Sequence, residues 1–547
     1  MKKTTFNAIS MAFLCLIMTQ FAAKAQDLTY EIPLNVQVYA SPQIVEGKVI
    51  SKKSYWDADY QNIYSVNTIE VYKVFKGQAL STIEVITPGG SVGLEYQIVD
   101  PSLKLRPNDI GIFTLVDNTV NVPTNQRAFE SYSDVQGFYK YNVFNNTVVN
   151  PYRIKQGISD FYDDVVGLTG SNYTVMNNYN VDEVVADIEA NRGGLAITSL
   201  SPGVVTAGTQ TTITIGGSGF GSTVGFVRFS DANSGGASLY TALESQIVSW
   251  SDTQIVVEVP DRAGTGGIQV QNSTSDIGNS PFTLTVTYAH INVESDALSA
   301  GTFVAYETQH VDDNAAGGYT WQMFTDFDAN TAANASFLRA LDTWRCETGI
   351  NWTVGAVTAT DVAASDGINI VRFDNTTELP SGVLGRCTSR FSGCFINGAT
   401  DLQWYVNELD IVFNDTTNWE FGPSAPSFSE VDFESVAVHE LGHGHQLAHV
   451  IDNSVVMHFA IGGGTSLRNL SAGDIAGAGA VQTRSTTTAA CSTTSMIHFD
   501  CAVLSVSEEE LSAAIDIYPN PSNGRVFINN DGLVDVDNAV VYDVNGR

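Results

Sequence analysis

Basic residues are scarce in this sequence. Its 547 residues include 26 lysines and arginines against 59 aspartates and glutamates, which gives a formal net charge of −33. Phosphate contacts need clustered lysines and arginines, so this balance argues against a nucleic-acid partner. Long apolar runs are scarce too, because after residue 21 no stretch reaches the roughly 18 continuous apolar residues of a membrane-spanning helix. We therefore expect no transmembrane anchor in the mature chain.

Cysteine is also rare, with six residues in the whole chain. One lies in the N-terminal apolar run, and no other cysteine precedes Cys346. In an exported protein the remaining cysteines are expected to form disulfides, although spacing alone does not fix their connectivity. The pairing of sequence neighbours joins Cys387 to Cys394 and Cys491 to Cys501, and it leaves Cys346 unpaired.

The N-terminus has the parts of a secretory signal peptide. Lys2 and Lys3 precede an apolar run from Ala8 to Phe21, and the small residues of Ala23-Lys24-Ala25 supply a cleavage site. We therefore expect residues 1–25 to be removed and the mature chain to be secreted or held at the cell surface.

The segment HELGHGHQLAHV, which begins at His439, groups residues able to build a catalytic metal site. On a helix, residues four apart lie on one face, so His439 and His443 can direct their imidazoles at one ion with Glu440 beside it. A catalytic zinc site has three protein ligands and keeps its fourth position for water. His449 is the expected third ligand, and His445 is the alternative if the chain follows another course after the helix.

The spacing of these histidines resembles the HExxHxxGxxH signature of the metzincin metallopeptidases. Gln446 stands where that signature has the glycine that turns the chain, and a non-glycine residue there costs about 1–2 kcal/mol if φ is positive. The run NSVVMHF resembles the methionine turn of the same families, with Met457 as structural support beneath the metal. Phe459 replaces the tyrosine of astacin-type relatives, so no tyrosine ligand is expected.

Two further segments resemble matrixin catalytic domains. SLRNLSAGDIAGAGAVQ is similar to the final helix, with Ser471 as N-cap and Asp474 at its third position. Upstream, helical spacing at 331–352 is followed by β-rich runs at 369–373 and 409–415. The resemblance implies that the run at 409–415 is the strand at the edge of the cleft.

These features predict a secreted zinc-dependent endopeptidase in which Glu440 is the general base toward a zinc-activated water. Its substrate would be a protein or peptide. The enzyme would either cleave many proteins or have one target, such as a single surface glycoprotein. The alternative is a secreted adhesin or binding protein whose peptidase-like domain retains zinc but is inactive. Calcium is a second candidate ion because acids cluster at 312–314 and 326–328, although neither follows a calcium-loop pattern. Residues 26–345 contain no cysteine. A propeptide that blocks the zinc with a cysteine is therefore not expected.

The chain is expected to be multidomain. An N-terminal all-β domain, a barrel or a sandwich, is predicted at 26–192 with a short helix at 181–191. Its role is open between spacing, substrate recognition and active-site inhibition. Residues 195–288, with ITSLSPGVVTAGTQTTITIGGSGFG and IVSWSDTQIVVEVP, resemble an IPT/TIG immunoglobulin-like β-sandwich. The α/β metzincin-like catalytic domain is predicted at 289–490.

The C-terminal runs IDIYPNPSNGRVFIN and VVYDVNGR resemble the sorting domain of type IX secretion substrates. We expect this β module at 512–547, after a linker at 491–511. The resemblance implies export through the periplasm of a Gram-negative bacterium, with the type IX secretion machinery as a partner. The chain stops partway through the family pattern, which predicts a fragment or impaired sorting.

Overall fold

Five stretches of the chain are described by the computed structural model: residues 31–190, 194–376, 378–501, 515–518 and 527–530. The predicted signal peptide lies outside them, and so does most of the predicted sorting module. No helix within these stretches is long and apolar enough to cross a membrane.

The N-terminal part of the chain is built on a sheet that closes into a barrel. Its strands are β1 Gln43–Trp56, β2 Ile63–Lys76, β3 Thr82–Pro88, β6 Ile110–Asp117, β7 Ala128–Ser131, β8 Phe138–Asn142, β9 Thr147–Asn150, β10 Arg153–Gln156 and β11 Thr174–Val175. The same part of the chain contains β4 Gly90–Val92 and β5 Glu95–Asp100, which belong to another sheet. β1 pairs with β2 on one edge and with β6 on the other, so the path β1-β2-β3-β7-β6 returns to β1. Closure removes the exposed edges that an open sheet would leave.

Three helices accompany the barrel, so the expected all-β domain is a barrel with helices. They are α1 Leu34–Ala40, α2 Ile158–Thr169 and α3 Val181–Ala190. The short helix expected at 181–191 is α3. α2 buries Ile158, Phe161 and Val165, whose spacing gives one apolar face, and these residues share a core cluster with Leu34 and Val38 of α1.

The second part of the chain is a β-sandwich, as expected for 195–288. Its strands are β12 Ala196–Ser201, β13 Val204–Ala207, β14 Thr212–Ser218, β15 Phe226–Asp231, β16 Leu239–Thr241, β17 Ile247–Trp250, β18 Gln254–Glu258, β19 Ala263–Gln271, β20 Ile277–Asn279 and β21 Thr285–His290. The two main sheets have the strand orders β12-β14-β18-β17 and β16-β15-β19-β20. Alternate residues point inward, so Ile213 and Ile215 of one sheet and Val227 and Phe229 of the other are fully buried.

The third part combines a mixed sheet with helices. Its strands are β22 Asn292–Ser295, β23 Val304–Gln309, β24 Tyr319–Met323, β25 Trp352–Val354, β26 Asn369–Phe373, β27 Gly385–Ile396, β28 Asp401–Phe413, β29 Trp419–Glu420, β30 Val431–Asp432 and β31 Leu447–Ala448. Its helices are α4 Thr325–Ala329, α5 Thr331–Thr348, α6 Phe433–Gly444 and α7 Ala472–Thr487. As predicted, Ser471 caps α7: its Oγ accepts from Asp474 N at 3.1 Å, and Asp474 Oδ2 accepts from Ser471 N at 2.8 Å.

The main sheet of this part has the order β25-β24-β26-β28-β27. β28, which contains most of the run at 409–415, lies inside the sheet between β26 and β27. The prediction that this run forms the cleft edge is therefore wrong. An apolar run identifies a buried strand but does not give its place in the sheet, and β27 is the outer strand of this part.

The N-terminal domain extends this sheet by two more strands, in the order β27-β5-β4. β5 pairs antiparallel with β27, from Asp100 opposite Cys387 to Glu95 opposite Ser392. Arg386 also forms an ion pair with the buried Asp134 of the N-terminal domain at 2.7 Å. The outer edge of β27 is therefore already paired by the chain itself.

The sandwich and the third part share one continuous apolar core. A single cluster of buried side chains includes Phe229 of the sandwich, Trp344 of α5 and Leu441 of α6. Independent domains would each enclose their own core. The sandwich is therefore packed into the structure that carries the histidine motif.

Residues 499–547 form a separate unit. Within it, β32 Ile515–Tyr518 and β33 Phe527–Asn530 form an antiparallel pair. The remaining residues of the predicted sorting module lie outside the described stretches.

The predicted disulfide pairing is wrong. Cys394 is bonded to Cys491 across a sequence separation of 97 residues. Cys346 and Cys501 are both disulfide-bonded, whereas Cys387 is a buried free thiol. Proximity in the sequence did not predict the pairing, because the fold brings Cys394, near the end of β27, to Cys491 in the loop after α7.

We expect replacement of Cys394 and Cys491 by serine to lower the free energy of unfolding. The bridge spans 97 residues, and the loop-closure entropy of a loop of this size corresponds to about 4–5 kcal/mol. Urea unfolding followed by tryptophan fluorescence measures the change. Cys387→Ala is the control, since it removes a buried thiol without opening a loop and should cost only about 1 kcal/mol. Equal stability of the double serine variant and the parent would contradict the pairing.

Candidate metal centre

Helix α6 carries the first two histidines of the motif. It begins after Asp432, whose Oδ2 accepts a hydrogen bond from Ser435 Oγ at 2.6 Å. Glu434 places a negative charge in the first turn, where the helix dipole favours it. All residues of α6 are buried, and Trp344 Nε1 of α5 donates to Val438 O at 2.7 Å. The helix is thus fixed on both sides by the core.

His439, His443 and His449 turn their Nε2 atoms toward a common point. His439 Nε2 lies 2.9 Å from His443 Nε2 and 3.3 Å from His449 Nε2. Within the described stretches, these three buried side chains are the one group of three or more histidine, cysteine or acidic residues that could hold a metal ion.

The opposite nitrogen of each ring has an oxygen partner. His439 Nδ1 lies 2.7 Å from Val456 O, and His443 Nδ1 lies 2.9 Å from Leu447 O. His449 Nδ1 lies 3.1 Å from Asn233 Oδ1 of the sandwich. Because an oxygen acceptor requires a hydrogen on Nδ1, each Nε2 keeps its lone pair for the common point.

This set of donors fits a tetrahedral zinc ion. Zinc binds imidazole nitrogen at about 2.0–2.1 Å, so neighbouring ligand nitrogens lie about 3.3 Å apart in a tetrahedral site. Burial lowers the pKa of His439 and His443 and brings that of His449 to about 3. All three imidazoles are therefore neutral at pH 7, the form that binds a metal.

Gln446 makes the turn between the second and third histidines. Its φ of 72° lies in the left-handed region, which costs a non-glycine residue about 1–2 kcal/mol. Both polar atoms of the side-chain amide are hydrogen-bonded. Oε1 accepts from Thr308 Oγ1 at 3.0 Å, and Nε2 donates to Gly444 O at 3.2 Å. The carbonyl of Gln446 accepts from Ile291 N at 3.0 Å. These bonds offset the strain that a glycine would avoid.

His445, the alternative third ligand, is directed into the core instead. Its ring lies between Trp344 and Trp352, with ring centroids 5.4 and 5.7 Å away. Its Nε2 lies 3.0 Å from Thr348 Oγ1. The turn at Gln446 thus brings His449, and not His445, to the other two histidines.

Glu440 is fully buried beside the triad. Neither carboxyl oxygen has a side-chain hydrogen-bond partner among the described residues, and the backbone N–H of Cys387 is close enough to lower the pKa of the carboxyl. β27 passes closely over this side chain, because a Cβ at Gly385 would lie 2.8 Å from Glu440 Oε1. Burial, and then the nearby Asp100, raise the pKa of Glu440 well above its usual value. Buried acids without side-chain partners are costly and are typical of functional sites.

Met457 and Phe459 lie on two sides of the histidines. Met457 is buried against α6 at Gly442, where a Cβ would overlap its sulfur. Phe459 lines the cavity at the triad and also packs against Gly235 of the sandwich. Met457 thus packs against helix α6, and its support of a metal stays a prediction.

Sequence reading missed Asp100, the last residue of β5. Its Oδ1 lies 3.9 Å from His443 Nε2 and 4.0 Å from His449 Nε2. Burial disfavours the charged carboxylate, but Lys104 Nζ at 2.9 Å and the two histidines hold the pKa of Asp100 below its usual range. No motif marks this residue, because only the pairing of β5 with β27 brings it to the histidines.

The space left at the centre is small. The cavity has a volume of about 30 Å³ and is lined by Asp100, Pro101, Ser102, Val135, Pro151, Asn233, His439, His443, His449 and Phe459. This volume holds one or two water molecules. An extended peptide does not fit while the N-terminal domain remains in this position.

The acidic groups considered for calcium have other contacts. Asp312 Oδ1 accepts from Gly317 N at 2.7 Å, and Asp328 Oδ1 accepts from Asn334 Nδ2 at 2.7 Å. Neither belongs to a group of potential metal ligands in the described part of the chain. Calcium binding is therefore not supported.

Two family models match parts of the chain. The matrixin model matches residues 319–482, and the IPT/TIG domain model matches residues 195–288. The first range contains the three histidines and Glu440, and the second contains Asn233. The matches support a matrixin-like metallopeptidase domain combined with an IPT/TIG domain. No curated protein matches the chain.

Solved structures share only limited similarity with the chain. An auxiliary nutrient binding protein from Bacteroides thetaiotaomicron is 17% identical over 20% of this chain and 25% of its own, with a TM-score of 0.14. A gamma-CGTase from alkalophilic Bacillus clarkii is 14% identical over 45% of this chain and 27% of its own, with a TM-score of 0.14. A putative DNA binding protein from Bacteroides vulgatus is 11% identical over 36% of this chain and 72% of its own, with a TM-score of 0.15. The chain thus spans about a quarter of the first two proteins, and these similarities carry no functional argument.

We expect Gln446→Ala to destabilise the chain more than Gln446→Gly. Alanine bears the same cost of positive φ as glutamine and loses the side-chain hydrogen bonds, so the variant should lose about 1–3 kcal/mol relative to the parent. Glycine loses the same hydrogen bonds but no longer bears the backbone cost. Urea unfolding of both variants measures the difference. Equal losses in the two variants would show that the backbone conformation at this turn carries no cost.

Proposed function

We propose that this chain is a secreted zinc-dependent endopeptidase whose active site is closed by its own N-terminal domain. The observation that carries the proposal is the convergence of three neutral imidazoles beside the buried carboxyl of Glu440. The match of residues 319–482 to the matrixin model supports a metallopeptidase, and matrixins normally bind zinc. In this proposal His439, His443 and His449 hold the metal and Met457 supports it from beneath.

Glu440 is the proposed general base. A zinc ion held by the three imidazoles would act as a Lewis acid on the scissile carbonyl and lower the pKa of an adjacent water. Glu440 takes a proton from that water while the water oxygen bonds to the carbonyl carbon. The same carboxyl returns the proton to the amine nitrogen as the C–N bond breaks. The products are a carboxylic acid and a free amine.

The substrate is proposed to bind along β27. An extended peptide can add to a free strand edge through backbone hydrogen bonds. β5 occupies this edge over the pairs from Cys387–Asp100 to Ser392–Glu95, and Asp100 comes within 4.0 Å of two ligand nitrogens. Substrate binding therefore requires β5 to leave. Of the three roles open for the N-terminal domain, this contact favours active-site inhibition.

Displacement of β5 would also prepare the general base. Asp100 is, after burial, the largest cause of the raised pKa of Glu440. Its departure removes a negative neighbour and opens the site to water, and both changes favour the ionised carboxyl that accepts a proton. Closure by β5 thus blocks the substrate and raises the pKa of the base.

Export is part of the proposal. The signal-peptide pattern at 1–25 and the type IX sorting motifs at 512–547 support secretion through the periplasm of a Gram-negative bacterium. The Cys394–Cys491 bridge suits an oxidising compartment outside the cytoplasm. The type IX machinery is the proposed partner in export.

The alternative of an inactive adhesin or binding protein predicts a chain that holds zinc and does not cleave. The retained Glu440, fully buried beside the triad, argues against it. A peptide library would also show whether cleavage is broad or narrow.

Three single substitutions test the metal site. Glu440→Ala should retain zinc and lose hydrolysis, because the base is absent while the ligands remain. His443→Ala should lose both zinc and hydrolysis, and His445→Ala is the matched control, which should keep zinc. Zinc content by mass spectrometry and chelator-sensitive cleavage of a quenched peptide library are the measurements. Full hydrolysis by Glu440→Ala, or full zinc content in His443→Ala, would refute the assignment.

A fourth substitution tests closure by β5. Asp100→Ala should raise basal cleavage of a peptide substrate at least about tenfold, which corresponds to about 1.4 kcal/mol less stabilisation of the closed state. Asp109→Ala is the control, since that acid pairs with Lys140 in the same domain at 2.7 Å. Unchanged basal activity in Asp100→Ala would refute inhibition through Asp100 and leave spacing and substrate recognition as the roles of the N-terminal domain.

A further inference from the structure

The loop that carries the third histidine rests on the sandwich of residues 195–288. β31 pairs antiparallel with β21, the last strand of the sandwich, with Ala448 opposite Ala289. Directly after β21, Ile291 N donates to Gln446 O at 3.0 Å. The segment between the second and third histidines is therefore bonded to the sandwich through its backbone.

Side chains continue this contact beyond the third histidine. A Cβ at Gly264 of the sandwich would lie 2.5 Å from Ile451 Cδ1, and one at Gly235 would lie 2.8 Å from Phe459 Cε1. Both positions allow this close approach because they lack a side chain. A domain that acted only as a spacer would not need such contacts on both sides of a metal-binding loop.

Asn233 of the sandwich contacts His449 itself. Its Oδ1 lies 3.1 Å from His449 Nδ1, so Nδ1 carries the hydrogen and Nε2 keeps its lone pair. If the amide nitrogen of Asn233 faced the ring instead, Nδ1 would accept and Nε2 would carry the hydrogen. The oxygen of Asn233 thus selects the tautomer of His449 that can bind a metal.

The position of Asn233 is fixed by a partly buried ion pair between Asp231 and Arg262. Asn233 lies in a 3₁₀ turn at Ala232–Ser234, and its backbone N donates to Asp231 Oδ1 at 3.1 Å. The carboxylate of Asp231 accepts from Arg262 Nε at 3.1 Å and from Arg262 Nη2 at 2.5 Å. The sandwich therefore presents Asn233 on a rigid support.

We infer that the IPT/TIG sandwich is a component of the metal centre and that Asn233 is the positioning residue for His449. The inference rests on the proposed zinc site. The other two histidines donate to the backbone carbonyls of Val456 and Leu447, which no substitution can remove. Asn233 supplies the one side-chain oxygen among the three partners, so its support can be deleted without changing a ligand.

Two variants of similar size separate the acceptor from the packing. Asn233→Leu removes the oxygen, and Asn233→Asp keeps an oxygen at the same place. Zinc affinity of the full chain is measured by competition with a chromophoric chelator, and the visible spectrum of the cobalt(II) form reports the ligand geometry. Asn279→Leu is the control in the same sandwich, where Asn279 Oδ1 accepts from Gln269 Nε2 at 3.0 Å.

Asn233→Leu should weaken zinc binding about 10- to 100-fold and change the cobalt spectrum. Asn233→Asp should stay within about threefold of the parent, since a carboxylate accepts from Nδ1 at least as well as an amide, and Asn279→Leu should match the parent. Unchanged affinity in Asn233→Leu overturns the inference, and so does an equal loss in Asn233→Asp.

Two controls keep these outcomes distinct. A parent chain that binds no zinc refutes the proposed function together with the inference, whereas a parent that binds zinc and a Leu variant that binds it equally refute only the inference. Thermal melts of the metal-free chains identify a variant that does not fold. If Asn233→Leu fails this test, Asn233→Ala replaces it with the same expected loss.

Discussion

The hydrogen bonds from Nδ1 of three histidines are the constraint on which the centre depends. Each bond fixes the orientation and the tautomer of one ring, so that the three Nε2 lone pairs are directed at one point. His439 Nε2 lies 2.9 Å from His443 Nε2 and 3.3 Å from His449 Nε2. Without oxygen partners the same rings would rotate or carry their hydrogen on the inner nitrogen. These bonds are positioned by the buried helix α6, the turn at Gln446 and the backbone at Val456.

Three parts of the chain meet at this point. The matrixin-like domain supplies the histidines and Glu440, the sandwich supplies Asn233, and the N-terminal domain supplies Asp100. A single cavity of about 30 Å³ is lined by residues from all three. Both β domains therefore contact the proposed active site and are more than spacers. The sandwich supports His449, and the N-terminal domain occupies the edge of β27 where the substrate is proposed to bind.

Local patterns predicted those features whose physical cause is local. The spacing of His439 and His443 on a helix, the cap formed by Ser471 and the sandwich at 195–288 follow from helical periodicity, capping chemistry and alternating apolar residues. Pairings between distant segments were not predicted. The disulfide of Cys394 with Cys491, the interior place of β28 and the helices α1 and α2 depend on which surfaces meet, and no local pattern records that.

The sequence by itself determined that three histidines and a glutamate can form a metal site, because their spacing sets which face of a helix they share. It also determined that His449 needs a turn before it. Only the tertiary structure decided that Gln446 makes this turn with positive φ, that His445 faces the core, and that Asp100 and Asn233 reach the histidines. The contacts of Asp100 and Asn233 with the histidines join residues separated by more than 200 positions, and they arise because β5 pairs with β27 and β21 pairs with β31.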